Sequence, residues 1–209
     1  MDNPDQQVIG ILGGSFNPVH IGHLMLASYL SQFGGLDAVW LTLSPLNPLK
    51  AGSTELIPDI QRLKMLQIAT ADADGVGVCD IELSMPRPSF TIDTLRLLAK
   101  RYPRRRFKLV IGSDNWRIFD KWREHEAILD EFGVIVYPRP GYEIDTPIYE
   151  SRAEFVNAPM TNLSSTFVRH ALAKGGDMNL FLPPGVYSYI VAHGLYGVRS
   201  SKSDPYVST

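Results

Sequence analysis

The chain has 209 residues, a formal net charge of −2, 44% hydrophobic residues and one cysteine. A single domain of that length buries about 70 to 75% of its extended surface, so neither a disulfide nor a metal staple is required. The charge excludes bulk attraction to nucleic acid or membranes. The lone Cys79 excludes an internal disulfide; it suits a reducing cytoplasm or is neutral about compartment, and it reads as strand filling.

Residues 1–7 are polar, with no basic leader and no long apolar stretch, so neither a signal peptide nor a membrane span is expected and the chain is read as cytoplasmic. Short apolar runs then alternate with longer amphipathic ones, which predicts a parallel sheet flanked by helices. Strands are expected at 8–12, 38–43, 76–79, 107–111, 133–137 and 154–156, and helices at 21–33, 58–71, 91–101, 121–130, 165–174 and 184–193. Pro58 and Pro184 suit first-turn positions. Residues 1–199 read as one domain, and 200–209, which lose apolar periodicity, as a flexible tail. In such a sheet, ligands bind at the carboxyl ends of strands where strand order reverses. Gly13-Gly14 and Gly112-Ser113-Asp114 both follow strands and are expected to line one crevice.

The run Gly13-Gly14-Ser15-Phe16-Asn17-Pro18-Val19-His20-Ile21-Gly22-His23 outlines a phosphate site. Glycines expose backbone N–H groups, and the helix opening near Ile21 aims its positive end at the same place. His20 and His23, three apart, share one helix face and can donate to one polyphosphate, with Gly22 keeping the space between them open. Singly, a capping histidine or a Gly-Gly turn is commonplace; the combination is not. The run is neither the Gly-x-x-x-x-Gly-Lys loop nor the Gly-x-Gly-x-x-Gly fingerprint.

A second helix start, Ser164-Ser165-Thr166-Phe167-Val168-Arg169, offers hydroxyls, N–H groups and an arginine one turn inside. The stretch Ser89-Phe90-Thr91-Ile92-Asp93-Thr94 is a hydroxyl-rich helix lead that can cap the helix and also host a carboxylate. Trp116 and Trp122 follow Gly112 and Asp114; tryptophans usually pack in cores, but an indole also suits a flat cationic ring. The basic run 100–108 reads as a solvated turn after a helix, not as a nucleic-acid site. Glu124-His125-Glu126 makes no convincing metal set, because adjacent helical positions diverge.

Together these stretches resemble the nucleotidyltransferase superfamily and, within it, the bacterial nicotinate-nucleotide adenylyltransferases. The likeness runs from about Val8 to Tyr196. It implies a Rossmann-like, doubly wound α/β fold with a parallel sheet flanked by helices and a small C-terminal helical extension. It further implies transfer of AMP from ATP to nicotinate mononucleotide, with catalytic His20, His23, Lys50 and Arg169. Lys50 would reach the ATP phosphates from the end of the Pro-rich loop 44–50. ATP would be met by Gly13, Gly14, Ser15, Phe16, Gly112, Asp114, Ser165 and Thr166. Thr91 and Trp122 would meet nicotinate mononucleotide, with Trp116 structural and the closing stretch 182–196 packing. Mg2+ would arrive with ATP, with no protein metal site and no tightly bound cofactor; nucleic acid and membranes are not expected partners.

Where this family often has Thr-Phe-Asp-Pro, this chain has Ser15-Phe16-Asn17-Pro18, so no acid is available at position 17. Arg123, beside Trp122, would add a cation near the pyridine carboxylate. A sister enzyme using nicotinamide mononucleotide or another phosphate acceptor, and a non-catalytic nucleotide-binding module, remain open. So does a homo-oligomer.

Overall fold

Apolar side chains alternate along the strands and both sets are buried, the pattern of a sheet covered on its two faces. The computed structural model describes residues 6–45, 56–142 and 152–198. Among them six strands form one sheet: β1 (Gln7–Gly14), β2 (Ala38–Leu43), β3 (Val76–Cys79), β4 (Arg105–Gly112), β5 (Val134–Tyr137) and β6 (Ala153–Phe155). All pair in parallel, in the order β3-β2-β1-β4-β5-β6. The helices are α1 (Ile21–Phe33), α2 (Asp59–Ala69), α3 (Thr91–Arg101), α4 (Ser113–Trp116), α5 (His125–Glu131), α6 (Ser165–Ala173) and α7 (Val186–Ala192).

The pleat sorts the core into two layers. Phe107, Leu109 and Ile111 of β4 pack with Ile92, Leu95 and Leu98 of α3 and Ile128 of α5. Val110 points the other way, joining Leu12, Leu41 and Leu43 against Leu30 of α1, Leu66 of α2, Val168 of α6 and Ile190 of α7. The C-terminal helices thus complete the layer that α1 and α2 begin.

Strand order reverses between β1 and β4. Their pairing ends at Leu12 opposite Val110. Beyond it, β1 continues beside β2 to Gly14 opposite Leu43, and β4 continues beside β5 to Gly112 opposite Tyr137. The two strands part at their carboxyl ends, which opens a crevice where such sheets bind ligands.

The expected helix at 121–130 is shorter than its pattern suggests. Lys121 closes a 3-10 turn, Trp122 is extended (φ −76, ψ 144), Glu124 is left-handed (φ 51) and α5 begins at His125. Local propensity favours a helix there, but packing of Trp122 on Phe119, with ring centroids 5.6 Å apart, holds the chain out of it. Pro58 is the N-cap of α2 instead of its first residue, and α7 starts after Pro184, behind a left-handed Gly185 (φ 80). Lys50 and the tail 200–209 lie outside the described residues.

Candidate active site

α1 begins where the sequence pattern expects it, with His20 as N-cap and His23 at the third helical position. The His20 N–H donates to Nδ1 of His23 at 3.1 Å, so the neutral His23 ring carries its proton on Nε2. The rings stack with centroids 3.7 Å apart, and Phe16 packs edge-on to His23 at 5.0 Å. His20 is only 5% exposed, and its buried Nδ1 has no hydrogen-bond partner. Burial, and secondarily Arg139, lower the His20 pKa to about 4. Burial, then His20 and Arg139, push His23 well below its ordinary value. Both imidazoles are therefore neutral near pH 7 and offer N–H groups in place of positive charge.

Glycine is needed at two points of this loop. A Cβ at Gly22 would lie 2.8 Å from Thr161 Cγ2 and 3.1 Å from His20 Nδ1, and one at Gly14 would lie 2.9 Å from the Phe16 ring.

The start of α6 docks on the same loop. Ser164 caps the helix by accepting from the Phe167 N–H at 3.2 Å. Ser165 Oγ donates to the Pro18 carbonyl at 2.8 Å, and Arg169 Nη1 donates to the Asn17 carbonyl at 2.9 Å. Thr166 is exposed at the helix start, with its hydroxyl 3.4 Å from Arg169 Nη2. Asn17 Oδ1 accepts from Tyr196 OH at 2.9 Å, a bond for which an amide serves where a charge is missing. The two helix N-termini thus face one turn.

Beside this turn, a cavity of about 250 Å3 occupies the crevice between β1 and β4. Gly13, Gly14 and Gly112 line it, as do Thr91, Trp122 and Arg123. Thr91 is the first residue of α3, whose leading N–H groups have no intrahelical partner. The Trp122 indole Nε1 is buried without a hydrogen-bond partner. Arg123 lies over the Phe90 ring at 4.8 Å, with Asp93 and Glu124 oxygens at 3.6 and 3.7 Å. Trp116 is 3% exposed and stacks on Phe119 at 5.2 Å, as a core residue does. Asp114 lies at the start of α4, with Oδ1 3.6 Å from Arg139 Nε.

Three charged residues here escaped the sequence pattern. Arg139 lines the cavity and depresses both histidines; its place just after β5, at a strand's carboxyl end, is the signal that could have found it. Arg62 is 0% exposed and Glu82 8%. Arg62 sits within an amphipathic run and looks solvated until its partners are known.

The fold is that of the Rossmann-like α/β class, with its crevice where the strand order reverses. The family model described as cytidylyltransferase-like matches residues 11–171. A protein of Bacteroides fragilis (strain YCH46) named "Probable nicotinate-nucleotide adenylyltransferase" is 48% identical over 182 residues, covering 87% of this chain and 90% of the relative. One of the same name from Flavobacterium johnsoniae is 39% identical, covering 90% of this chain and 98% of the relative. In fold, "Plasmodium falciparum nicotinic acid mononucleotide adenylyltransferase complexed with NaAD" matches with a TM-score of 0.77 at 24% identity, over 94% of this chain and 100% of that one. The chain belongs to the cytidylyltransferase-like family and, within it, to the nicotinate-nucleotide adenylyltransferases. No described helix is long and apolar enough to cross a membrane.

Proposed function

We propose that this chain transfers AMP from ATP to nicotinate mononucleotide, giving deamido-NAD and pyrophosphate, a step of NAD biosynthesis. The observation that carries this reading is the adjacency of two sites: a turn faced by two helix N-termini, and a ring-sized cavity with an indole and a free helix start. Relatives of the same name, similar over most of the chain, support it.

An oxygen of the acceptor's 5'-phosphate attacks the α-phosphorus of ATP as the bond to pyrophosphate breaks on the opposite side. The nucleophile is already an anion, so a general base contributes little and catalysis rests on positioning and charge stabilisation. His20 and His23 hold the triphosphate through N–H donors, His23 by Nε2. Gly13, Gly14, Ser15 and Phe16 present the loop that follows β1, and Gly112 lets β4 approach. Ser165 braces that loop through the Pro18 carbonyl, and Thr166 sits at the exposed start of α6 beside it. Arg169 and Lys50, joined by Arg139, neutralise charge gathering on pyrophosphate. Thr91 and the α3 N-terminus receive the nicotinate carboxylate, and Trp122 stacks on the pyridine ring.

Mg2+ would accompany ATP, held chiefly by phosphate and water. Asp114, whose buried Oδ1 lacks a hydrogen-bond partner, is the residue that would hold it; when bound, the ion would withdraw charge from the triphosphate.

The test is pyrophosphate release from ATP with a panel of acceptors: nicotinate mononucleotide, nicotinamide mononucleotide, phosphopantetheine and a sugar phosphate, with His23→Ala as control. Release with nicotinate mononucleotide alone or best supports the proposal. Preference for another acceptor redirects it to a sister enzyme, and no release with any acceptor favours a binding module.

A further inference from the structure

Two buried charged side chains, Arg62 and Glu82, meet at one neutral residue, Ser44. Its N–H donates to the Gly14 carbonyl at 2.9 Å, its hydroxyl to Glu82 Oε2 at 2.7 Å, and its carbonyl accepts from Arg62 Nη1 at 2.9 Å. Arg62 Nη1 also donates to the Ser15 carbonyl at 2.5 Å, and the rest of the guanidinium is spent on Pro45, Ile57 and Asp59. Glu82 accepts from Ser89 Oγ at 3.1 Å and Thr94 Oγ1 at 3.0 Å, the hydroxyls that flank Thr91. Arg62 thus holds the loop proposed for ATP, and Glu82 holds the helix start proposed for the acceptor. Ser44, Glu82, Ser89 and Thr94 all line the cavity between them.

The geometry points to Ser44 as a positioning residue that sets the spacing of the two substrates, anchored by Arg62 on the ATP side and by Glu82 on the acceptor side. Arg62 and Glu82 are buried with their donors and acceptors engaged, so neither, nor Ser44 between them, can shift without leaving a buried partner unsatisfied. In-line transfer needs that rigidity, because the attacking oxygen must approach phosphorus to about 3–3.5 Å and a misplacement of about 1 Å costs on the order of 100-fold. The inference rests on the proposed adenylyl transfer.

Ser44→Ala removes the bond to Glu82 and leaves both backbone bonds in place. Its single-turnover rate at saturating ATP and nicotinate mononucleotide is expected to fall about 10- to 100-fold, while the dissociation constant of each nucleotide measured alone stays within about twofold. Ser44→Thr, which keeps the hydroxyl, should recover most of that rate, and Glu82→Gln, which keeps the volume, should show the same split between rate and binding. A normal rate in Ser44→Ala, a loss carried by weaker binding of either nucleotide, or an equal loss in Ser44→Thr overturns the inference. Should Ser44→Ala fail to fold, the split in Glu82→Gln decides it. Wild-type protein that turns over neither pyridine mononucleotide refutes the underlying reaction instead.

Discussion

His20 fixes the tautomer of His23: its backbone N–H donates to Nδ1, while its own ring lies stacked on the partner at 3.7 Å. The His23 proton is thereby placed on Nε2, on a ring that its neighbours keep from turning, and in the proposed reaction it is offered to the triphosphate. A donor aimed this way contributes most when charge gathers on the leaving group. His23→Ala and Arg169→Ala should each lower turnover on the order of 100- to 1,000-fold. Single-turnover measurement with saturating substrates checks this, and near-normal rates in either variant would remove the residue from the proposed machinery.

Gly22→Ala should act through His20. The new methyl would meet Thr161 Cγ2 at 2.8 Å and His20 Nδ1 at 3.1 Å, so the imidazole must shift. Overpacking of this kind costs about 1–3 kcal/mol. ATP affinity is expected to fall about tenfold, with a modest loss of thermal stability in line with that cost. Unchanged ATP affinity by calorimetry would mean the ring tolerates the displacement.

Protonation provides an independent handle on the same pair. The unfolded chain titrates both histidines near pH 6.5, whereas burial and Arg139 hold folded His20 at about 4 and burial, His20 and Arg139 keep folded His23 well below its ordinary value. In the interval between, the unfolded chain binds more protons, so stability rises with pH. The contribution is complete above about pH 6.5 and is lost as pH falls toward 4. Urea midpoints at pH 7 and pH 5 should differ less in His20→Gln than in the wild type. Equal differences would show that His20 does not titrate in that window.

Arg123 predicts a difference between acceptors. It lines the cavity and is half exposed, with its carboxylate neighbours beyond hydrogen-bond length. Exposed ion pairs contribute roughly 0.2–1 kcal/mol. Arg123→Ala should therefore raise the KM for nicotinate mononucleotide by at most about fivefold and leave that for nicotinamide mononucleotide unchanged. Parallel changes for both acceptors would assign Arg123 to packing on Phe90.

Much of this architecture is written in local pattern. The apolar runs that became β1, β2 and β3, and the His-x-Gly-His start of α1, lie where periodicity and glycine placement put them. Trp122 does not: a helical pattern covers it, yet Phe119 holds it extended. Arg62 and Glu82 were illegible for a different reason. Their partners come from Ser15, Ser44, Ser89 and Thr94 on separate segments, and no window along the chain contains the carbonyls and hydroxyls that make burial tolerable. Arg139 was legible in principle, since a cation at a strand's carboxyl end lies at the crevice by topology alone.

Asn17 is gripped by Arg169 through its carbonyl and by Tyr196 through its amide oxygen. Those clasps are separated from it by 152 and 179 positions. During synthesis the turn after β1 emerges well before α6 and Tyr196, so these braces are made later than the turn they hold. A chain interrupted before α6 has the strands to pair β1 with β4 but lacks both donors to Asn17, and long-range closures of this kind come late and slowly in folding. The loop proposed for ATP is therefore braced only once α6 and Tyr196 have joined the sheet.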